Sequence, residues 1–167
     1  MTTKTNGSVV RNADQAERRW FAGGGEHLWM ARAEETHGAF HAFVNRLVRG
    51  KMTPLHMHPD ADDSLYVIDG EILYQSDGEQ RVITAGGFAS SLRGTPHAFM
   101  VTSETATLFC FQTPGAGEAF YLEASDLVGD GGEPTGSVDI PRLQEAAARN
   151  PAAVQFLGPP PFAPPTA

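Results

Sequence analysis

Two histidines separated by one residue, His56 and His58, are the part of this sequence best suited to chemistry. Side chains alternate across an extended strand, so these two imidazoles point to the same face and can bind one ion. Asp63 follows within a few residues, and a third histidine, His97, comes later in the chain. Imidazoles and carboxylates are ligands that divalent transition metals accept. The sequence therefore predicts a metal site formed by His56, His58, Asp63 and His97.

The region that must position these residues, 26–125, has the pattern of an all-β domain. Short apolar runs alternate with turn signals at intervals of roughly 8–12 residues, which is typical of a sandwich or barrel. The Asp77-Gly78 pair predicts a tight hairpin turn. The predicted strands are His27–Ala33, Ala39–Val48, Ser64–Ile68, Glu71–Gln75, Gln80–Thr84, Phe88–Leu92, His97–Thr102, Thr107–Gln112 and Glu118–Glu123.

Two flanking regions complete the predicted organisation of the chain. Residues 1–25 form an N-terminal arm, in which Ala13–Phe21 could form a short helix docked through its aromatic end. Residues 126–167 contain a loop and then a helix that Asp139 caps and that runs to about Arg149. The proline-rich tail from Gly158 is predicted to be extended or disordered. No repeat is visible, so we expect one domain.

Composition excludes several classes of partner. The 167 residues carry a formal net charge of −8 without a basic stripe, which argues against nucleic acid. No run reaches the roughly 18 apolar residues that a membrane span needs, and the polar N-terminus is not a secretory signal. Cys110 is the single cysteine, so an intramolecular disulfide is excluded. A lone thiol fits a reducing compartment, and we therefore expect a cytoplasmic protein with an inert, buried thiol.

Two glycine-framed motifs resemble those of the cupin superfamily. The segment Gly50-x5-His-x-His-x4-Asp63-x6-Gly70 matches the first cupin motif in every spacing, although the family usually has Glu where this chain has Asp63. The second motif corresponds to Gly86, Leu92, Gly94, His97 and Val101, with Leu92 and Val101 in place of the usual proline and asparagine. Fifteen residues separate the two motifs, which suits a short hairpin connection.

The resemblance to cupins implies a fold, a cofactor and an assembly. The fold would be a double-stranded β-helix, or jelly-roll barrel, with a short C-terminal helix and an extended proline-rich tail. The cofactor would be one divalent transition metal ion, Fe, Ni, Co, Mn or Zn, and the assembly a homodimer. Because Asp63 is one methylene shorter than glutamate, it could bind the metal directly, bind it through water, or leave one position open.

Within the cupins, the chain is similar to quercetinase-like single-domain proteins. This similarity includes Gly25-Glu-His-Leu-Trp29, Thr95-Pro-His-Ala-Phe99 and Phe156-Leu-Gly-Pro-Pro-Pro-Phe162. It implies a metal-dependent dioxygenase that uses dioxygen on a flavonol-like or other aromatic or polyketide enol, with Asp63 as the base. Phe99, Phe43 and Met52 are the candidate substrate-binding residues.

Two alternatives to a dioxygenase stay open. The same site could serve a non-oxidative isomerase or cyclase, or the protein could be a non-enzymatic cupin that binds a small ligand. The remaining histidines, His27, His37 and His41, have no partnered spacing and are predicted to be structural or exposed.

Overall fold

The computed structural model describes residues 7–129 and 138–163. These ranges contain twelve strands, two α-helices and short 3-10 turns at Ala13–Gln15 and Gly115–Gly117. The strands are β1 (Glu17–Phe21), β2 (Glu26–Ala31), β3 (His41–Val48), β4 (Leu55–Met57), β5 (Asp62–Asp69), β6 (Glu71–Ser76), β7 (Glu79–Thr84), β8 (Phe88–Ser91), β9 (His97–Val101), β10 (Thr105–Thr113), β11 (Ser125–Leu127) and β12 (Gln155–Gly158). The helices are α1 (Glu118–Glu123) and α2 (Ile140–Arg149).

The strands form two antiparallel sheets. The larger sheet has seven strands in the order β11-β1-β2-β3-β10-β5-β8, and the smaller has five in the order β12-β4-β9-β6-β7. In each sheet, some neighbouring strands are consecutive in the chain and joined by hairpins, whereas others are distant in sequence. This is the connectivity of a double-stranded β-helix. The predicted all-β fold class is therefore confirmed.

The two sheets pack through alternating apolar residues. Leu65 and Leu108 from the larger sheet meet Ile72 and Val101 from the smaller sheet in one cluster of buried side chains. Burial of each such side chain contributes roughly 1.5–3 kcal/mol. The hairpin predicted at Asp77-Gly78 joins β6 to β7, and both turn residues have a positive φ. These residues therefore form a core between the two sheets.

Two predicted elements are wrong. Ala13–Phe21 is not a helix, because Glu17–Phe21 pairs with both β2 and β11 as a strand of the larger sheet. Glu118–Glu123 is not a strand but helix α1. Its Phe120 packs with Leu143 and Ala146 of α2 in a second buried cluster, and burial of this face stabilises a helix that is too short to be stable alone.

The C-terminal region contributes a helix and a strand to the fold. Asp139 caps α2 by accepting a hydrogen bond from the main-chain nitrogen of Arg142 at 3.1 Å, as predicted. The chain then returns as β12, a strand that the sequence pattern did not predict, and pairs with β4. Phe162 is buried against Ala98 and Met100, whereas the last prolines lie outside the described residues. No helix in the described ranges has the length and hydropathy to cross a membrane.

Candidate metal centre

Three histidines converge where the two cupin-like motifs pair. His56 lies on β4 opposite His97 on β9, and His58 follows two residues after His56. Each offers one ring nitrogen, and these nitrogens lie within 4.8 Å of one another. All three side chains are buried. The expected approach of His97 to the His-x-His pair is therefore present in the fold.

Main-chain carbonyls orient all three imidazole rings. The Nδ1 atom of His56 lies 2.8 Å from the carbonyl oxygen of Pro54, and that of His97 lies 2.9 Å from the carbonyl oxygen of Thr95. His58 Nδ1 is 2.7 Å from the carbonyl oxygen of Ala153. Because a carbonyl only accepts, Nδ1 carries the proton in each ring, which leaves Nε2 as the atom that could bind a metal.

Asp63 stands beside two of these histidines. Its Oδ2 lies 3.3 Å from His97 Nε2 and 4.0 Å from His58 Nε2. The carboxylate is not part of the group of nitrogens within 4.8 Å of one another, so it borders that cluster on one side. Asp62 points away from it and binds Arg93 instead, in agreement with the alternation of side chains along the strand.

The charges of the site suit a cation. Burial lowers the pKa of His56 and His58, so both rings are neutral near pH 7. Burial also lowers the pKa of His97, but its hydrogen bond to Asp63 and the charge of that carboxylate raise the net pKa above its ordinary value. Burial alone would raise the pKa of Asp63, but His58 and His97 lower it by more. The net pKa is below its ordinary value, and the carboxyl group is ionised.

His97 thus lies between two acceptors, the carbonyl of Thr95 and the carboxylate of Asp63. A proton on each ring nitrogen satisfies both acceptors when the imidazole is charged. A divalent cation near Nε2 would take the place of one proton and would also be attracted by Asp63. The donor set therefore fits a divalent metal ion, and such an ion would displace any proton held on Nε2 of His97.

Gln112 is the residue of this site that sequence reasoning missed. It is 1% exposed and pairs in register with Asp63 across β10 and β5. Its Nε2 donates to Asp63 Oδ1 at 3.0 Å and lies 3.3 Å from the hydroxyl of Tyr121. The available signal was a polar residue at an inward position of the apolar run that contains Leu108 and Cys110.

An aromatic cavity of about 80 Å³ adjoins the histidines. Phe43 and Phe99 both line it, together with Tyr121 and Phe156. Met52, the third candidate for substrate binding, is not among the residues that line this cavity and packs instead against the cluster of Ala98, Met100 and Phe162. Met52 forms an isolated bridge with Met100 and lies away from the histidines along the sheet.

The other candidate residues divide between the cavity and the rest of the fold. Cys110 lines the cavity, and burial raises the pKa of its thiol, so the thiol is protonated and unreactive. His41 is buried and His37 is exposed. His27 is also buried but lines the cavity, where its ring stacks on Phe43 with centroids 4.2 Å apart.

Comparisons with known proteins agree with the fold and the motifs. The family model described as a cupin domain matches residues 38–111. A quercetin 2,3-dioxygenase from Bacillus subtilis is 29% identical over 86 residues, which are 52% of this chain and 26% of that protein. The matched region therefore spans about a quarter of this relative's length.

Solved cupin structures show the same fold at low sequence identity. An RmlC-like cupin from Shewanella frigidimarina superposes with a TM-score of 0.58 at 19% identity, over 65% of this chain and 92% of that one. A predicted oxalate decarboxylase from Thermotoga maritima also has a TM-score of 0.58 at 19% identity, over 63% of this chain and 98% of that one. The chain thus has the fold of these structures, matches the cupin domain model over residues 38–111, and resembles a quercetin 2,3-dioxygenase over half of its length.

Proposed function

We propose that this cupin is a metal-dependent enzyme that holds one divalent transition ion, Fe, Ni, Co, Mn or Zn, between His56, His58 and His97. The observation that carries this proposal is the common orientation of the three rings, each anchored at Nδ1 by a main-chain carbonyl. A buried set of imidazoles with fixed tautomers is the arrangement that metal-binding histidines adopt. Asp63 completes the charge of the site as a ligand or as the group next to it.

The reaction that we propose is oxygenation of an aromatic or polyketide-like enol. The support is the aromatic wall of the cavity, which includes Phe43 and Phe99, together with the similarity to a quercetin 2,3-dioxygenase. His56, His58 and His97 would hold the ion, which would supply Lewis-acid polarisation of the enol oxygen. The apolar wall keeps water away from the reacting carbon atoms.

Asp63 is the base in this proposal. Its carboxylate is ionised, Gln112 holds its Oδ1 through a hydrogen bond of 3.0 Å, and its Oδ2 faces the histidines, 3.3 Å from His97 Nε2. An enol that binds beside His97 would transfer its proton to Oδ2 of Asp63. Tyr121 holds the amide of Gln112 from the other side, at 3.3 Å.

Cavity size narrows the class of substrate. The volume of about 80 Å³ is below the roughly 300–1,000 Å³ of pockets that enclose drug-sized ligands. A compact enol fits this space more easily than a flavonol, which requires the aromatic wall to move. We therefore expect compact enols such as acetylacetone to react faster than flavonols.

A non-oxidative isomerase or cyclase is the second candidate. The contact between Asp63 and His97 favours it, because a carboxylate and an imidazole in hydrogen-bond contact can pass a proton across a substrate without dioxygen. Such an activity would survive strict exclusion of oxygen, whereas oxygenation would stop. A cupin that only binds a ligand would show neither activity.

The test is oxygen consumption by protein loaded separately with iron, nickel, cobalt, manganese or zinc. Acetylacetone and a flavonol are offered to wild type, His56→Ala and the control variant His37→Asn, which changes an exposed histidine. We expect uptake in wild type and His37→Asn with at least one metal, and loss in His56→Ala. No uptake with any metal and either substrate contradicts the oxygenase proposal.

We also propose a cytoplasmic homodimer. The support for the dimer is an apolar row on the outer face of the larger sheet, where Phe109 pairs with Tyr66 and Tyr66 with Phe88. Phe88 is 58% exposed and lies on β8, the edge strand of that sheet. An unpaired edge with exposed apolar side chains is suited to pairing with a second chain. The single thiol of Cys110 supports a reducing compartment.

A further inference from the structure

Besides the residues of the metal centre, three polar side chains with unused hydrogen-bonding capacity line the cavity. They are His27, Asn45 and Lys51, and we refer to them as the polar subsite. His27 and Asn45 lie outside both cupin motifs, Lys51 occupies a variable position of the first motif, and none of the three contacts Asp63 in the described structure. Their position and chemistry are not used by the proposed reaction at the metal.

His27 and Asn45 are brought together by the pairing of β2 with β3. They are opposite each other in register, so their side chains lie on the same face of the sheet. His27 is 1% exposed and Asn45 is 7% exposed. Among the described residues, His27 Nδ1 and Asn45 Oδ1 have no hydrogen-bond partner. Buried polar atoms in proteins normally have partners, so both residues of this cavity wall keep the capacity to bind a polar group.

Lys51 supplies a positive charge to the same region. Its Nζ donates to the carbonyl oxygens of Gly23 and Met52, which uses two of its three protons. No carboxylate in the described part of the chain forms an ion pair with it, and burial alone lowers the pKa of the ammonium to about 8. Burial, and after it the charge of Lys51, lowers the pKa of His27, and both residues line the same cavity.

We propose that the polar subsite binds an anionic oxygen group of the substrate, a carboxylate or an ionised enol or phenol, at a distance from the metal. An anion would receive the third proton of Lys51 and relieve its uncompensated charge. A neutral imidazole with its proton on Nδ1 would donate to the second oxygen of the anion, and Asn45 Oδ1, which only accepts, would receive a hydrogen bond from a neighbouring hydroxyl. The substrate of this cupin is therefore an acid with two oxygen-bearing ends.

This inference rests on the proposed function only where it assigns the anion to the substrate. Binding of an anion to the polar subsite is tested in protein without metal. Lys51 and Lys4 are the only lysines of the chain, so protein labelled with ¹³C at lysine Cε gives two signals. The pKa of Lys51 is measured by NMR in EDTA-treated protein with sodium acetate, with sodium chloride at equal ionic strength, and with neutral acetamide. Acetate is small enough for the cavity.

We expect acetate to raise the pKa of Lys51 by about one unit, which corresponds to roughly tenfold tighter binding of acetate to the ammonium than to the amine. Chloride and acetamide should leave the pKa near 8. The signal of Lys4 is the internal control. A pKa of Lys51 that is the same in all three solutions overturns the proposal.

Two variants locate the site independently. The shift of the His27 imidazole signal with acetate is followed in Lys51→Met and in Arg49→Met, which removes one positive charge from an exposed side chain nearby in sequence. The acetate dissociation constant should rise at least tenfold in Lys51→Met and stay unchanged in Arg49→Met. The proposal is also overturned if the acetate dissociation constants of the two variants are equal. The same holds if acetate shifts only the NMR signals of His56, His58 and His97. Loss of metal binding with these results intact would overturn only the proposed function.

Discussion

The buried ring of His27 makes the stability of this protein sensitive to acid. The imidazole is enclosed between Phe21 and Phe43, with ring centroids 4.8 and 4.2 Å away, and burial lowers its pKa to about 3. Its unfolded pKa is near 6.5, so below that value the unfolded chain binds a proton that the folded chain refuses. The contribution of neutral His27 to stability is therefore present above about pH 6.5 and is lost progressively as the pH falls toward 3.

The magnitude follows from the two pKa values. At pH 5, protonation of an imidazole of pKa 6.5 in the unfolded state lowers the free energy of unfolding by about 2 kcal/mol relative to pH 8. His27→Phe removes the titrating group and keeps an aromatic ring in the stack. The drop in the free energy of unfolding between pH 8 and pH 5 should consequently be smaller by about 2 kcal/mol in this variant than in wild type.

The assay is urea unfolding in EDTA at pH 8, 6 and 5, followed by circular dichroism. His37→Asn is the matched control, because His37 is exposed and has a φ of 54°, a conformation that asparagine tolerates. Its pH dependence should equal that of wild type. If His27→Phe loses as much stability on acidification as wild type does, His27 is not held neutral by burial and the reasoning is refuted.

Three further predictions concern Asp63, a glycine turn and the sheet edge. Gln112→Leu removes the donor to Asp63 and should weaken zinc binding roughly 10–100-fold in a chelator competition, and unchanged affinity would contradict the assigned contact. Gly25→Ala should cost about 2–4 kcal/mol in urea unfolding, because its φ is +106° and a Cβ would lie 2.5 Å from Leu47, whereas Gly38→Ala, in open space, should cost about 1 kcal/mol. Equal costs would refute the steric argument. If the proposed dimer forms through β8, Phe88→Glu should convert it to a monomer in light scattering, and a dimer that persists would contradict this interface.

The sequence predicted the parts of the site that depend on local geometry. Alternation along a strand placed His56 and His58 together, and motif spacing brought His97 to them across the β4–β9 pair. The same alternation separated Asp62 from Asp63, and the structure places Asp62 against Arg93 on the other side of the strand. Capping by Asp139 likewise required only neighbouring residues.

Features that depend on distant contacts were not predictable in the same way. Helix α1 has strand-like residues, and its packing of Phe120 against α2 decides its conformation. Gln112 and Lys51 are placed in the cavity region by contacts with residues distant in sequence. Neither residue is a fixed position of a recognisable motif. Met52 has the residue type of a pocket wall, but its strand neighbour Met100 directs it into a different cluster.

The most direct test of the account is a zinc titration followed by ¹⁵N NMR of the histidine side chains. We expect saturation at one zinc ion per chain, with Nε2 of His56, His58 and His97 bound to the metal. The Nδ1 atom of each ring should stay protonated and donate to its main-chain carbonyl. The signals of the other three histidines should show no change of tautomer. No saturable change, or zinc bound through Nδ1, would contradict the claim that these main-chain carbonyls prepare the three rings for a metal ion.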